Sequence, residues 1–160
     1  MWYNDCNFII GGILVKKFIC FLLISCSALY AYDMSRIYTI GDKEKIPHSI
    51  VRALMHEESR GDEKAISKEV VRGYHSRGLF QIYEEPKNLA WLLWKFYDHP
   101  PWQFDIYDPY DNATVALRYL AWLHKWLGSW YMALLFYNHG DVATASADTK
   151  AYARRIINSR

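Results

Sequence analysis

Beyond residue 31 the chain has no cysteine, because the three it carries are Cys6, Cys20 and Cys26. A folded unit built from the remainder therefore has no disulfide, no thiolate zinc site and no cysteine nucleophile. An excess of one charge is also missing. Net charge is +2, and Lys16 and Lys17 against Asp5 place +1 of it in the first 31 residues. The rest lacks the basic footprint of a nucleic-acid-binding protein. His48, His56, His75, His99, His124 and His139 form no i, i+4 pair and no His-Glu-x-x-His string, which argues against a metal site. There is no glycine-rich phosphate loop, and Ser76 lacks a nucleophile-elbow setting. No strand-like alternation, βαβ spacing, internal repeat or low-complexity tract occurs. No cofactor is implied.

Aromatic residues are abundant, with 7 Trp and 13 Tyr in 160 residues that are 52% hydrophobic. This composition fits one globular domain with an aromatic surface or cleft. Three segments are expected: 1–31 for export, 32–45 as a polar linker without helical periodicity, and 46–160 as the folded domain. In the first, Lys16-Lys17 precede an apolar stretch from Phe18 to Ala28, the pattern of a secretory signal and too short for a comfortable membrane span. Ala28 and Ala31 offer cleavage sites. Leu23-Ile24-Ser25-Cys26 also resembles a bacterial lipobox, which would put lipid on Cys26. An apolar run from Phe8 to Val15 lies upstream, so two further readings stay open: Val15 as the true initiator, or one membrane helix over 8–29 interrupted by two lysines. All of these readings put the remaining chain outside the cytoplasm.

The folded part is expected to be mainly α. Ile50, Val51, Leu54 and Met55 recur at helical spacing after Pro47, predicting a first helix to about Ser59, stopped by Arg60-Gly61-Asp62. Glu85 to Asp98 reads as a second helix with Leu89, Leu92, Leu93 and Phe96 on its apolar side. Asp111 or Asn112 is expected to cap a long helix ending at Gly128, Ser129 to start one through Tyr137, and Thr149 to Ile157 to form the last. Trp91, Trp94, Trp122, Trp126 and Trp130 fall at helical spacings, so most are expected in the core.

One carboxylate stands out within the first helix. At about 100° per residue, Glu58 falls about 10° from the centre of the apolar stripe and Glu57 about 90° away. A carboxyl group on the core side either pairs with a cation or shifts its pKa upward, and the second outcome makes a general acid. His56 lies on the opposite face and reads as a surface residue.

Several separated segments resemble the soluble-type lytic transglycosylases, relatives of goose-type lysozyme, from Ile46 to Ile156. Glu58-Ser59 resembles the family's glutamate-serine pair, Gly78-Leu79-Phe80-Gln81-Ile82 its Gly-Leu-Met-Gln-Ile segment, and Asp108-Pro109 with Asn112, Tyr119 and Leu120 its "DPxxN…YL" helix. Ala133 to Gly140 resembles its "AxxxYNxG" segment, and Tyr152 with Arg155-Ile156 its final tyrosine motif. Their order and spacing make the resemblance specific. Three departures stand out: the stretch Lys68 to Arg77 after Ser67 is longer than usual, Ala116 replaces a glycine, and Tyr83 stands where methionine often follows Gln-Ile.

The resemblance implies a compact lysozyme-like helical domain with a substrate groove, in which Glu58 is the single catalytic carboxyl group. Ser59, Ser67, Gln81, Tyr83, Tyr137, Asn138 and Tyr152 supply substrate-facing hydroxyl, amide and aromatic groups, and Tyr152 positions Glu58. The implied substrate is the peptidoglycan glycan strand, cut at the β-1,4 bond between N-acetylmuramic acid and N-acetylglucosamine with formation of a 1,6-anhydro end. Two alternatives remain: a muramidase that uses water, and a non-catalytic peptidoglycan-binding subunit of an envelope-spanning machine. A secretion or conjugation machine is the kind of partner such a small domain serves, and membrane contact is expected only through the signal segment or a lipidated Cys26.

Overall fold

The computed structural model describes residues 32–159. The expected export segment, with its lipobox reading at Cys26, lies outside the described residues. Six α-helices and one small hairpin build the domain: α1 Met34–Lys43, α2 His48–Ser59, β1 Ser76–Arg77, β2 Ile82–Tyr83, α3 Pro86–Phe96, α4 Pro109–Leu127, α5 Trp130–His139 and α6 Ala147–Ile157. A short 3₁₀ turn, Pro101–Gln103, links α3 to α4. Among the described residues no helix is long and apolar enough to cross a membrane.

The chain between 32 and 45 is not a linker, since most of it forms α1. Asp33 caps the helix by accepting from the Ser35 N–H at 2.8 Å, and Ile37 and Gly41, one turn apart, are its buried face. Met34, Tyr38 and Ile40 pack partly buried beside them, so Met34, Ile37, Tyr38 and Gly41 follow the i, i+3, i+4, i+7 spacing of a helix, a pattern the linker expectation overlooked. Gly41 is required there because a Cβ would lie 2.9 Å from Cγ2 of Val51, so α1 and α2 meet backbone to side chain. Arg36 lies over the Tyr110 ring, 3.5 Å from its centre, and ties α1 to α4.

Helix α4 runs through the middle, packed on α1, α3 and α5, while α6 packs on α2 and α5. Its Val115, Leu117, Leu120 and Leu123 are fully buried, each stabilising the fold by about 1.5–3 kcal/mol. The cap of α4 lies earlier than expected: Asp108 accepts from the N–H groups of Tyr110 and Asp111, both at 2.9 Å, and Pro109 takes the first helical position. Asn112, the other cap candidate, is wholly buried. Helix α6 begins at Ala147 rather than Thr149, with Ser146 as cap. Gly128 ends α4 in the left-handed region at φ 78°, as its position suggests.

None of the five tryptophans expected mostly inside is buried: Trp122 and Trp130 are partly covered, and Trp91, Trp94 and Trp126 are exposed. Trp94 is 78% and Trp126 59% exposed, because Leu92, Leu93 and Phe96 occupy the inward face of α3 and the buried stripe of α4 passes through Leu120 and Leu123.

Candidate active site

Helix α2 buries Ile50, Val51, Leu54 and Met55, and one turn further on the same face opens onto a groove. Glu58 stands there, half-buried. Burial is the main influence on its carboxyl group, the Glu57 charge adds a smaller upward push, and the Tyr152 hydroxyl opposes both by donating to Oε1. The balance pushes the pKa of Glu58 up to about 7. A carboxyl group so placed holds its proton near neutrality and can release and regain it.

Glu57, the next residue, has the opposite fate. Arg155 grips it with two nitrogens, Nη2 to Oε2 at 2.7 Å and Nε to Oε1 at 3.0 Å, and holds its pKa below the usual carboxylate range. Tyr152 and Arg155 lie three residues apart on α6, so one helix face orients both carboxylates of α2. His56 is exposed.

The opposite side of the groove is made of loop and hairpin. Gly78 and Gln81 both adopt positive φ, 78° and 51°, in the turn between β1 and β2. Gly78 has no room for a side chain, since a Cβ would collide with Nδ2 of Asn112 and the carbonyl of Ile106. Asn112 holds the turn from beneath: its Oδ1 accepts from the Phe80 N–H at 2.8 Å, and its Nδ2 donates to the carbonyls of Ile106 at 2.9 Å and Arg77 at 3.2 Å. A buried amide with three good partners is rigid, and removing it orphans all three. Asn112 was expected at most to cap α4, not to support the turn. The signal was present in its position on the inward stripe of α4 beside Ala113, Val115 and Ala116.

The remaining candidates divide into two groups. Glu58, Ser67, Gln81, Tyr83, Tyr137 and Asn138 line one lobe of the groove, a cavity of about 460 Å³ shared with Glu69, Val71, Tyr74, Ser76, His139 and Thr149. An adjoining lobe of about 320 Å³ has Ala116, Tyr119, Leu92 and Phe136 on its walls. Val71, Ser76, Gln81, Tyr83, Tyr137, Asn138 and His139 line both lobes, so the two form one continuous trough. Several of these side chains are already engaged. Gln81 Nε2 donates to the carbonyls of Gly78 at 3.0 Å and Ala65 at 3.3 Å, which leaves its amide oxygen for a ligand. Tyr137 donates to the Phe80 carbonyl at 2.7 Å and Tyr83 to that of Val71 at 2.6 Å.

Ser59 is not brought to the trough. Its hydroxyl donates to the Met55 carbonyl at 3.2 Å and accepts from the Gly61 N–H at 3.1 Å, closing the C-terminal turn of α2. That turn fixes where Glu58 ends up. Ser67 Oγ likewise bonds backbone, to Glu69 O at 2.8 Å and Ser76 N at 3.0 Å. Among the described residues no group of three or more His, Cys, Asp or Glu side chains could hold a metal ion.

A single raised carboxyl group lining a continuous polar and aromatic trough suits proton transfer to a ligand lying in it. No curated protein and no solved structure gives a match. The model of the transglycosylase SLT domain, by contrast, matches residues 36–159, taking in all but the first two residues of α1 and every element of the groove. The chain therefore belongs to the transglycosylase SLT domain family, the lysozyme-like catalytic domains of lytic transglycosylases, whose substrate is peptidoglycan.

Proposed function

We propose that this protein is a peptidoglycan lytic transglycosylase working outside the cytoplasm, with Glu58 as both its acid and its base. The observation that carries the reading is the half-buried Glu58, whose pKa lies near 7 and whose hydroxyl partner comes from another helix. Protonated Glu58 gives its proton to the glycosidic oxygen between N-acetylmuramic acid and N-acetylglucosamine. The bond breaks through an oxocarbenium-like state, with the substrate's own acetamido group stabilising C1. Ionised Glu58 then takes the proton of the C6 hydroxyl as that oxygen attacks C1, and a 1,6-anhydro end results. Atoms and charge balance without water, and Glu58 ends protonated as it began.

The other carboxylates support one-carboxyl chemistry, in keeping with substrate-assisted glycosidases. Glu57 is neutralised by Arg155, and Glu84 is paired with Arg77. Glu69 lines the same lobe at its exposed rim. The amide oxygen of Gln81, the ring of Tyr137 and exposed Asn138 are the groups offered to sugar hydroxyls, acetamido groups and sugar faces. Mass spectrometry of muropeptides released from purified sacculi tests the reading. Anhydro ends are expected. Reducing ends would make the protein a water-using muramidase, and no release at all would make it a binding subunit.

A further inference from the structure

Two of the departures noted in the sequence, the longer stretch after Ser67 and the tyrosine at position 83, touch each other in the structure. The longer stretch is a compact hairpin. Ile66 pairs with Arg77 and Val71 with Tyr74, and Arg72 and Gly73 between the latter have φ 51° and 85°, the two positive values of a type I′ turn. The Val71 and Tyr74 N–H groups donate to each other's carbonyls, both at 3.0 Å. Tyr83, on β2, donates to the Val71 carbonyl at 2.6 Å and sets its ring edge-on to Tyr74 with centres 6.4 Å apart. Below it the Glu84 N–H donates to the His75 carbonyl at 2.9 Å, and Glu84 pairs with Arg77. The hairpin is thus fixed along its length to β2, and near its tip by Tyr83.

Its position matters for the ligand. Val71 lines both lobes of the trough together with Tyr137 and Asn138 of α5, and its side chain is apolar yet 47% exposed. Ser67, Glu69 and Tyr74 of the same hairpin face only the Glu58 lobe. A polymer lying along the trough passes Val71 as it leaves the Glu58 lobe for the lobe walled by Tyr119. A ligand confined to the Glu58 lobe does not span that passage.

We propose that the hairpin Ile66–Arg77, fixed by Tyr83, is the specificity wall of this groove: it favours glycan strands long enough to span both lobes over short fragments. The inference rests on the glycan-cleaving reading above and adds to it the length of substrate selected. It makes Tyr83 a positioning residue, whose hydroxyl serves the Val71 carbonyl rather than a sugar.

The test is steady-state kinetics of the full protein on uncross-linked peptidoglycan glycan strands of graded length, with amide hydrogen exchange alongside. In the parent, KM should fall as strands lengthen past the span of the Glu58 lobe. Tyr83→Phe keeps the ring on Tyr74 and removes one hydrogen bond, so KM for long strands should rise about fivefold, with the loss in KM rather than kcat. Exchange at the Val71 and Tyr74 amides should quicken while the core of α4 stays protected. Val71→Asp, a second variant at an exposed position that leaves Tyr83 intact, should also flatten the length dependence. A length dependence unchanged in both variants, or a fall in kcat equal for all lengths, would overturn the wall while leaving the glycan-cleaving reading in place. If the parent neither binds nor cuts the strands, that reading falls and the wall falls with it.

Discussion

The two sides of the groove are built on different physics. On one side, α6 lies on α2 and supplies a hydroxyl to Glu58 and a guanidinium to Glu57, from residues one helical turn apart. On the other, turns with positive φ at Arg72, Gly73, Gly78 and Gln81 are held by Asn112 and Tyr83. The helical side sets the chemistry, because packing between helices half-buries a carboxyl group and fixes its orientation. The hairpin side sets the shape, because its short strands and tight turns set Val71, Tyr74, Ser76, Gln81 and Tyr83 along the trough. Damage on each side therefore has separate consequences: rate and pH dependence for the helices, stability and substrate preference for the hairpin.

The largest effect is expected at Glu58. Glu58→Gln keeps the shape and deletes the transferable proton, so turnover should drop by about 10⁴ or more while glycan binding persists. The same variant changes stability in a pH-dependent way. Because the folded pKa of about 7 lies above the ordinary 4.5, the folded state holds the proton more tightly than the unfolded one, and stability falls as pH rises from 4.5 through 7. Denaturant unfolding should therefore find Glu58→Gln close to the parent at pH 4.5 and more stable at pH 8, by up to about 3 kcal/mol. Equal pH dependence in the two proteins would remove the raised pKa from the account.

Next comes the support under the hairpin side. Asn112→Ala leaves the Phe80 N–H and the Ile106 and Arg77 carbonyls without their partner, and should cost about 3 kcal/mol in the same unfolding measurement. A change below about 1 kcal/mol would mean that the turn holds itself.

Tyr152→Phe preserves packing and removes the bond to Glu58. A catalytic group displaced by about 1 Å loses roughly a hundredfold, and that is the expected fall in rate. The bond favours the ionised carboxylate, so without it the alkaline limb of the pH–rate profile should move to higher pH. An unchanged rate and profile would reduce Tyr152 to packing. Glu57→Gln is the mildest change. Its charge pushes Glu58 upward, so its loss should move the same limb to lower pH, with the rate within about threefold of the parent. Movement of the limb in the same direction for both variants would contradict the separation of roles on the helical side.

What the sequence revealed follows the same division. The inward face of α2 was readable because four apolar residues at helical spacing define a direction, and Glu58 lies on it. Gly128, Ser129 and Glu85 marked helix ends through backbone chemistry that needs no neighbours. The hairpin was invisible because two-residue strands cannot display alternation, and its register comes from turns and from Tyr83. Helix α1 was legible, since Met34, Ile37, Tyr38 and Gly41 keep the helical i, i+3, i+4, i+7 spacing, but the charged and polar residues between them drew the segment toward a linker reading. Asp108 lost to Asp111 and Asn112 as the expected cap because aspartate and asparagine both favour that position, and only Pro109 after Asp108 separates the three. Ser59 matched a motif yet serves the turn, so a matched motif did not distinguish a residue that touches a ligand from one that shapes the helix bearing Glu58.

The account stands on one carboxyl group that keeps its proton near neutrality. Carbon-13 NMR titration of the glutamate side-chain carboxyls, with Glu58→Gln identifying the resonance, measures it without substrate. A single glutamate titrating near pH 7 and missing from the variant is the predicted result, with Glu57 titrating below the ordinary range. A Glu58 resonance that titrates between about 4 and 5, the range of an unperturbed glutamate, would contradict it.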